Sequence, residues 1–180
     1  MRTSSALDGG KRQVTGKKVL VAGKFDILHL GHIAYLEQAR ALAGPGGELI
    51  AVIALDKTIE RERGAPPVFP QEQRRRLIES LKVVDKAILG YDTDDHTSIV
   101  IDNRPDVVAL GYDQKTDIEG LEKRIRELGL STRIVRLARG NVGGLYSSTM
   151  IRKRIIDFYG NNGSERQIKS QAHRAPQPPE

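Results

Sequence analysis

Cysteine and tryptophan are both absent from this 180-residue sequence. Without thiols there are no disulfides, no thiolate metal sites and no cysteine nucleophile. Long hydrophobic runs are also missing: no stretch approaches the roughly 20 apolar residues that cross a bilayer. The start of the chain lacks the apolar core of a signal peptide. A soluble cytoplasmic protein with no membrane partner is the resulting expectation. No internal repeat is visible, and the length suits one compact domain with modest extensions. Aromatic residues are scarce at 4%, yet 38% of the chain is apolar, which is enough for a core.

What is present in excess is positive charge, a formal +6. A basic balance invites a nucleic-acid reading, but the distribution argues against it. Residues 1–17 carry a net +3 and residues 160–180 a net +1, leaving the body at only +2. Both ends are rich in Ser, Gly, Gln, Asn and Pro and lack apolar periodicity. They read as flexible extensions flanking a domain over residues 18–159. No specific nucleic-acid partner is expected.

Within the body, Lys18 to Ala22 reads as a buried strand, followed by Gly23 at a turn. From Gly31 the period changes: Ile33, Leu36, Ala39 and Ala43 share one helical face, and Gly44-Pro45-Gly46-Gly47 stops the helix. Leu49 to Leu55 is a second strand, apolar enough to be covered on both sides. Pro70 precedes a helix to about Leu81, with Leu77, Ile78 and Leu81 expected to face the core. Lys86 to Leu89, Asp106 to Leu110 and Arg133 to Leu137 read as further strands. Helices are expected near Ser98 to Asp102, Glu119 to Leu128 and Ser147 to Phe158. This alternation predicts an α/β fold, a Rossmann-like, mostly parallel sheet with helices on both faces. Ligands then belong beyond the carboxyl ends of the strands.

Two of the four histidines, His29 and His32, lie at the first such end. An i,i+3 pair at a strand-to-helix turn can present both imidazoles to one ligand. The helix amino end beside them favours phosphate. Gly23 permits close backbone approach, Phe25 can anchor the turn in apolar packing, and Gly31 leaves room where a side chain would crowd a nucleotide. Asp26 can cap a backbone amide or orient a basic group. The alternative is that both histidines satisfy local hydrogen bonds. Zinc would need further ligands, which neither His96 nor His173 is placed to supply, so no protein-held metal is expected. At the opposite end of the body, Ser147, Ser148 and Thr149 open the last helix. Their hydroxyls and the free amides there make either an anion site or a simple N-cap.

These segments resemble two blocks of the cytidylyltransferase-like nucleotidyltransferases. Gly23-Lys24-Phe25-Asp26-Ile27-Leu28-His29-Leu30-Gly31-His32 is similar to that family's G-T-F-D-x-x-H-x-G-H block. Tyr146-Ser147-Ser148-Thr149-Met150-Ile151-Arg152 is similar to the block that opens its final helix. The resemblance covers roughly residues 17–157 and implies transfer of a nucleotidyl group to a phosphate-bearing acceptor, with release of pyrophosphate. It implies that His29 and His32 hold the triphosphate and stabilise the transition state, with Tyr146, Ser147, Ser148 and Thr149 at the terminal phosphates. A divalent ion, most simply Mg2+, is expected to bridge the nucleotide phosphates without a full protein cage. The family also implies a homodimer as an assembly to consider.

Lys24 departs from the family's usual threonine. It either brings charge to the phosphates or faces solvent. Arg74, within Pro70-Gln71-Glu72-Gln73-Arg74, matches the family's arginine in this helix, and the resemblance implies that it binds the nucleotide, whereas Arg75 and Arg76 are expected on a solvated face. Lys57 lies just past the second strand, where it meets either a phosphate or solvent. Gly111, Tyr112 and Asp113 follow the fourth strand and either contact base and ribose or shape a tight turn. Arg139, before the glycine-rich run to Gly144, is placed to close over the triphosphate.

Within the family, the stretches Ala54 to Thr58, Pro70 to Arg75, Val84 to Gly90 and Leu110 to Gln114 look most like archaeal-type FAD synthases. That likeness implies ATP as co-substrate, FMN as acceptor and FAD as product. Two alternatives stand beside it: a CTP-dependent cytidylyltransferase acting on glycerol 3-phosphate or another phosphorylated small molecule, and a non-catalytic nucleotide-binding regulator.

Overall fold

Five short apolar stretches form the centre of the molecule. The computed structural model describes residues 16–160, apart from Asp94 and His96. The strands are β1 Lys18–Gly23, β2 Glu48–Ile53, β3 Lys86–Leu89, β4 Val107–Leu110 and β5 Arg133–Arg136. They run in the spatial order β3-β2-β1-β4-β5, and every pairing is parallel. Parallel strands need crossovers, and helices α1 Leu30–Ala43, α3 Gln71–Glu79, α4 Thr97–Asn103 and α5 Ile118–Glu127 lie between them. A final helix, α6 Ser148–Ile155, runs into a π-helical turn, Ile156–Gly160.

Alternation along each strand sorts the side chains onto two faces. Val19, Val21, Leu49, Ala51, Ile53, Val107 and Ala109 pack with Leu36, Ala39 and Ala43 of α1 and Ile78 of α3. Leu20, Val52, Val108 and Leu110 pack on the other face with Val100 of α4 and Ile125 of α5. Burying each such Val, Leu or Ile side chain contributes about 1.5–3 kcal/mol. The expected two-sided α/β sheet is therefore what the chain forms, and all of its pairings are parallel.

Several boundaries differ from expectation. Leu77 is 37% exposed, and Ile78 alone of its pair enters the core. Helix α3 turns the neighbouring residue outward because one step rotates about 100°. A helix without an apolar stripe to predict it, α2 Asp56–Arg63, follows β2 directly; it buries only Ile59 and has no side-chain N-cap. Its strongly polar sequence gives no apolar stripe from which to read a helix. Helix α6 buries none of its residues, and Ile155, Ile156, Phe158 and Tyr159 are exposed. The flexible extensions expected over 1–17 and 160–180 fall outside the described residues, except at Gly16, Lys17 and Gly160. Lys17 already belongs to the body: its amide donates to the Ala43 carbonyl and its own carbonyl accepts from Glu48. Among the described residues, no helix is long and apolar enough to cross a membrane.

The order of strands creates an opening. β1 pairs with β2 along its full length, but with β4 only from Val19 to Val21. Past Val21 and Ala109 the two central strands part at the point where the chain winding reverses, the place where open α/β sheets bind ligands. Side chains satisfy the carbonyls left there. Tyr35 Oη donates to Ala109 O at 2.8 Å and to Ala22 O at 3.4 Å, and Gln114 Nε2 donates to Ala22 O at 2.7 Å.

Candidate active site

The segment leaving β1 at this opening is tightly constrained. Phe25 (φ 48°) and Ile27 (φ 53°) both take the left-handed backbone region that ordinary residues avoid. Phe25 is 2% exposed, and its ring fills the space where a Cβ on Gly23 would sit. Gly23 and Phe25 thus shape the turn through their own packing. Asp26 is also buried: its carboxylate accepts from the Val68 amide at 3.0 Å, the Phe69 amide at 3.1 Å and Arg63 Nη1 at 3.3 Å. Burial by itself would raise the Asp26 pKa, but those amides and Arg63 outweigh it and hold the carboxyl below its ordinary value.

The turn delivers His29 to the N-cap of α1, where its Nδ1 accepts from the His32 amide at 3.3 Å. That bond assigns the neutral proton to Nε2, which is left as a donor. The His29 and His32 rings stack, with centroids 3.7 Å apart and planes 16° from parallel. His32 Nδ1 is buried and has no hydrogen-bond partner among the described residues. Burial lowers the pKa of both rings. For His32 burial and the neighbouring His29 bring it to about 3, with a small opposing pull from Asp26. Both imidazoles are therefore neutral at pH 7 without ligand. An anion arriving beside the stacked pair would raise both pKa values.

The second block touches the first. A Cβ on Gly31 would lie 2.3 Å from the Tyr146 carbonyl oxygen, and one on Gly140 would lie 2.7 Å from Ala34 Cβ. The approach to α6 is thus laid against the amino end of α1. The space beside Gly31 is taken by the Tyr146 backbone. Ser147 is the N-cap of α6, its Oγ accepting from the Met150 amide at 3.2 Å. The hydroxyls of Ser148 and Thr149 make no hydrogen bond among the described residues. Arg139 joins the same corner: its guanidinium lies over the rings of Tyr146, at 5.2 Å, and Tyr112, at 5.7 Å, and donates to Tyr146 Oη at 3.0 Å. Tyr112 and Asp113 are exposed beyond β4, and the Gly111 amide donates to Gln114 Oε1 at 2.7 Å.

Other expected ligand contacts are engaged elsewhere. Arg74 is fully buried, and its guanidinium is spent on Phe69 O (2.9 Å), Lys24 O (2.5 Å), Ala54 O (2.7 Å) and Asp56 Oδ1 (2.6 Å). Four of the five guanidinium N–H groups are thus used inside the protein, and the side chain has no exposure to solvent. Lys24 pairs with Glu62 of α2 at 2.8 Å, and Lys57 pairs with Asp92. All four of those side chains are exposed, so neither pair locks its lysine. Tyr35 and Gln114 hold the opening together through the Ala22 and Ala109 carbonyls, and Asp56 does so through the Arg74 guanidinium. Apolar periodicity singles out none of these contacts, since each joins segments distant in sequence.

A parallel sheet with a histidine turn at its switch point and a hydroxyl-bearing helix start beside it defines a nucleotide-handling α/β protein. The chain belongs to the cytidylyltransferase-like family, whose profile matches residues 20–154. It is 43% identical to the FAD synthase of Thermoplasma acidophilum and 45% identical to that of Thermoplasma volcanium. Each match covers 79% of this chain and 96% of the relative. The solved structure of a protein described as a lipopolysaccharide core biosynthesis protein from Thermoplasma volcanium superposes with a TM-score of 0.64 at 44% identity. It covers 70% of this chain and 99% of that one.

Proposed function

We propose that this protein is an FMN adenylyltransferase, transferring AMP from ATP to the phosphate of FMN to give FAD and pyrophosphate. One observation carries the reading. Identity of 43–45% extends over 96% of the length of two relatives named FAD synthase. The site geometry suits direct transfer. An oxygen of the FMN phosphate attacks the α-phosphorus, the bond from that phosphorus to the bridging oxygen breaks, and pyrophosphate leaves.

No covalent enzyme intermediate is needed, so the protein's work is alignment and stabilisation of charge. His29 donates from Nε2 to a phosphoryl oxygen, and His32, stacked on it, supplies the second imidazole. Ser148, Thr149 and the free amides at the start of α6 receive the terminal phosphates, while Arg139 leaves its tyrosines to close over them. Lys24 and Lys57 exchange Glu62 and Asp92 for phosphate. Tyr112 offers a ring face to the adenine or flavin. Among the described residues, no three His, Cys, Asp or Glu side chains converge on one point. On this reading Mg2+ comes with the nucleotide, ligated by phosphate and water.

Incubation of the purified protein with Mg2+, ATP or CTP, and FMN or glycerol 3-phosphate tests the reading. FAD and pyrophosphate should form from ATP and FMN. Absence of that turnover, beside rapid consumption of CTP with glycerol 3-phosphate, overturns it.

A further inference from the structure

We propose that Arg74 is a positioning residue, setting the geometry of the histidine turn from behind without touching either substrate. The inference rests on the adenylyltransferase reading for its kinetic test, and on the fold alone for its spectroscopic one. The turn from Lys24 to His29 passes through two left-handed residues, Phe25 and Ile27. Each such conformation costs about 1–2 kcal/mol in an L-residue, so an unsupported turn relaxes to another path. Relaxation would rotate His29 off the α1 cap and separate the stacked imidazoles.

Arg74 opposes this at the right atoms. Its Nη1 holds the Lys24 carbonyl, immediately ahead of the first strained residue, at 2.5 Å. Its Nη2 holds the Ala54 carbonyl, one residue past β2, at 2.7 Å, and its Nε holds Phe69 O at 2.9 Å. Phe69 is the residue whose amide binds the Asp26 carboxylate, in the middle of the same turn. One rigid, planar cation therefore fixes the exit of β1, the exit of β2 and the loop that pins Asp26. Asp56 Oδ1, at 2.6 Å from Nη2, orients the guanidinium from the start of α2. A lysine carries the charge but cannot reproduce a planar fork meeting four acceptors.

The test measures Arg74→Lys and Asp56→Asn by steady-state kinetics and, without substrate, by 15N-edited NMR of the histidine rings. The lysine variant should lose about 10²-fold in kcat, the scale of a 1 Å misplacement of reacting groups, with the KM for ATP nearly unchanged. Its His29 and His32 signals should lose the mutual ring-current shifts of the stack. Asp56→Asn keeps an acceptor oxygen for Nη2 but removes the charge beside the fully buried guanidinium, so its folding is checked by thermal denaturation alongside that of Arg74→Lys. It should lower kcat less than Arg74→Lys does and shift the same ring signals. A rise in the KM for ATP with kcat intact would make Arg74 a ligand contact and overturn the proposal. So would histidine signals unmoved in Asp56→Asn and, where it folds, in Arg74→Lys. If the wild type turns over no FMN with ATP, the adenylyltransferase reading fails and the NMR arm still decides the role of Arg74.

Discussion

Replacing Gly31 with alanine probes the contact between the two blocks with almost no change in chemistry. The added Cβ would stand 2.3 Å from the Tyr146 carbonyl oxygen, a backbone atom that cannot rotate away. Reaching the shortest separation that real Cβ atoms show, 3.0 Å, requires the start of α1 and the approach to α6 to part by ~0.7 Å. That displacement moves the segment carrying His29 and His32 relative to the segment leading to Ser147, Ser148 and Thr149. Misplacements near 1 Å cost about 10²-fold in rate, whereas overpacking of this kind costs about 1–3 kcal/mol in stability. Gly31→Ala should therefore lose roughly two orders of magnitude in kcat while still melting cooperatively. Gly129→Ala is the control: Gly129 has a φ of +67° and nothing within 4 Å of a Cβ, so it adds backbone strain far from the site. It should lower the melting temperature and leave kcat unchanged. Pyrophosphate release and thermal denaturation, measured on both variants, decide the matter. A folded Gly31→Ala enzyme with near-normal kcat would show that the two blocks do not act as one clamp.

Triphosphate binding should take up protons below pH 6.5, because an anion beside two imidazoles of depressed pKa raises both. Calorimetry in buffers of different ionisation enthalpy measures this, and no buffer dependence would contradict it. The His32 pKa falls from 6.5 in the unfolded chain to about 3 in the fold, so acid protonates the unfolded state first. Stability is thus full above pH 6.5 and declines as pH falls towards 3, by up to about 4 kcal/mol. Denaturant titrations of His32→Asn should show a flatter decline over that window. Asp26→Asn leaves Arg63 without its carboxylate and weakens two amide bonds. It should cost about 3 kcal/mol by urea unfolding, and a loss below about 1 kcal/mol would refute the pinning role. Lys24→Thr removes only an exposed pair and should change stability by less than about 1 kcal/mol, while raising the KM for one substrate. An unchanged KM for both would place Lys24 outside the site.

The strands and most helices were legible because their apolar patterns are local. Val19 and Val21 alternate with Leu20, and Leu36, Ala39 and Ala43 repeat at helical spacing. Helix α2 was not legible, since one buried isoleucine in a charged octapeptide leaves no stripe. The histidine pair and the serine-threonine block stood out by residue type, but their mutual contact runs through Gly31 and a carbonyl. Arg74 shows the limit most clearly. Its place in the sequence suggested a ligand contact, yet burial and four acceptors scattered from Lys24 to Phe69 make it a tie. Three of its four partners are backbone oxygens, which leave no trace in those residues' identities.

The uncovered helix α6 gives the site an uneven mechanical character. The histidine side is cross-linked by buried hydrogen bonds from three segments, whereas the hydroxyl side rests on a helix with no buried residue. What holds that helix is its approach: the Tyr146 carbonyl against Gly31, Gly140 against Ala34, and Tyr146 Oη with Arg139. One jaw is an anvil and the other is hung on a short hinge. On the proposed reading, nucleotide binding supplies part of the ordering of the second jaw, at a cost in triphosphate affinity. Pyrophosphate then leaves past a helix that buries none of its residues, so its movement disturbs no core.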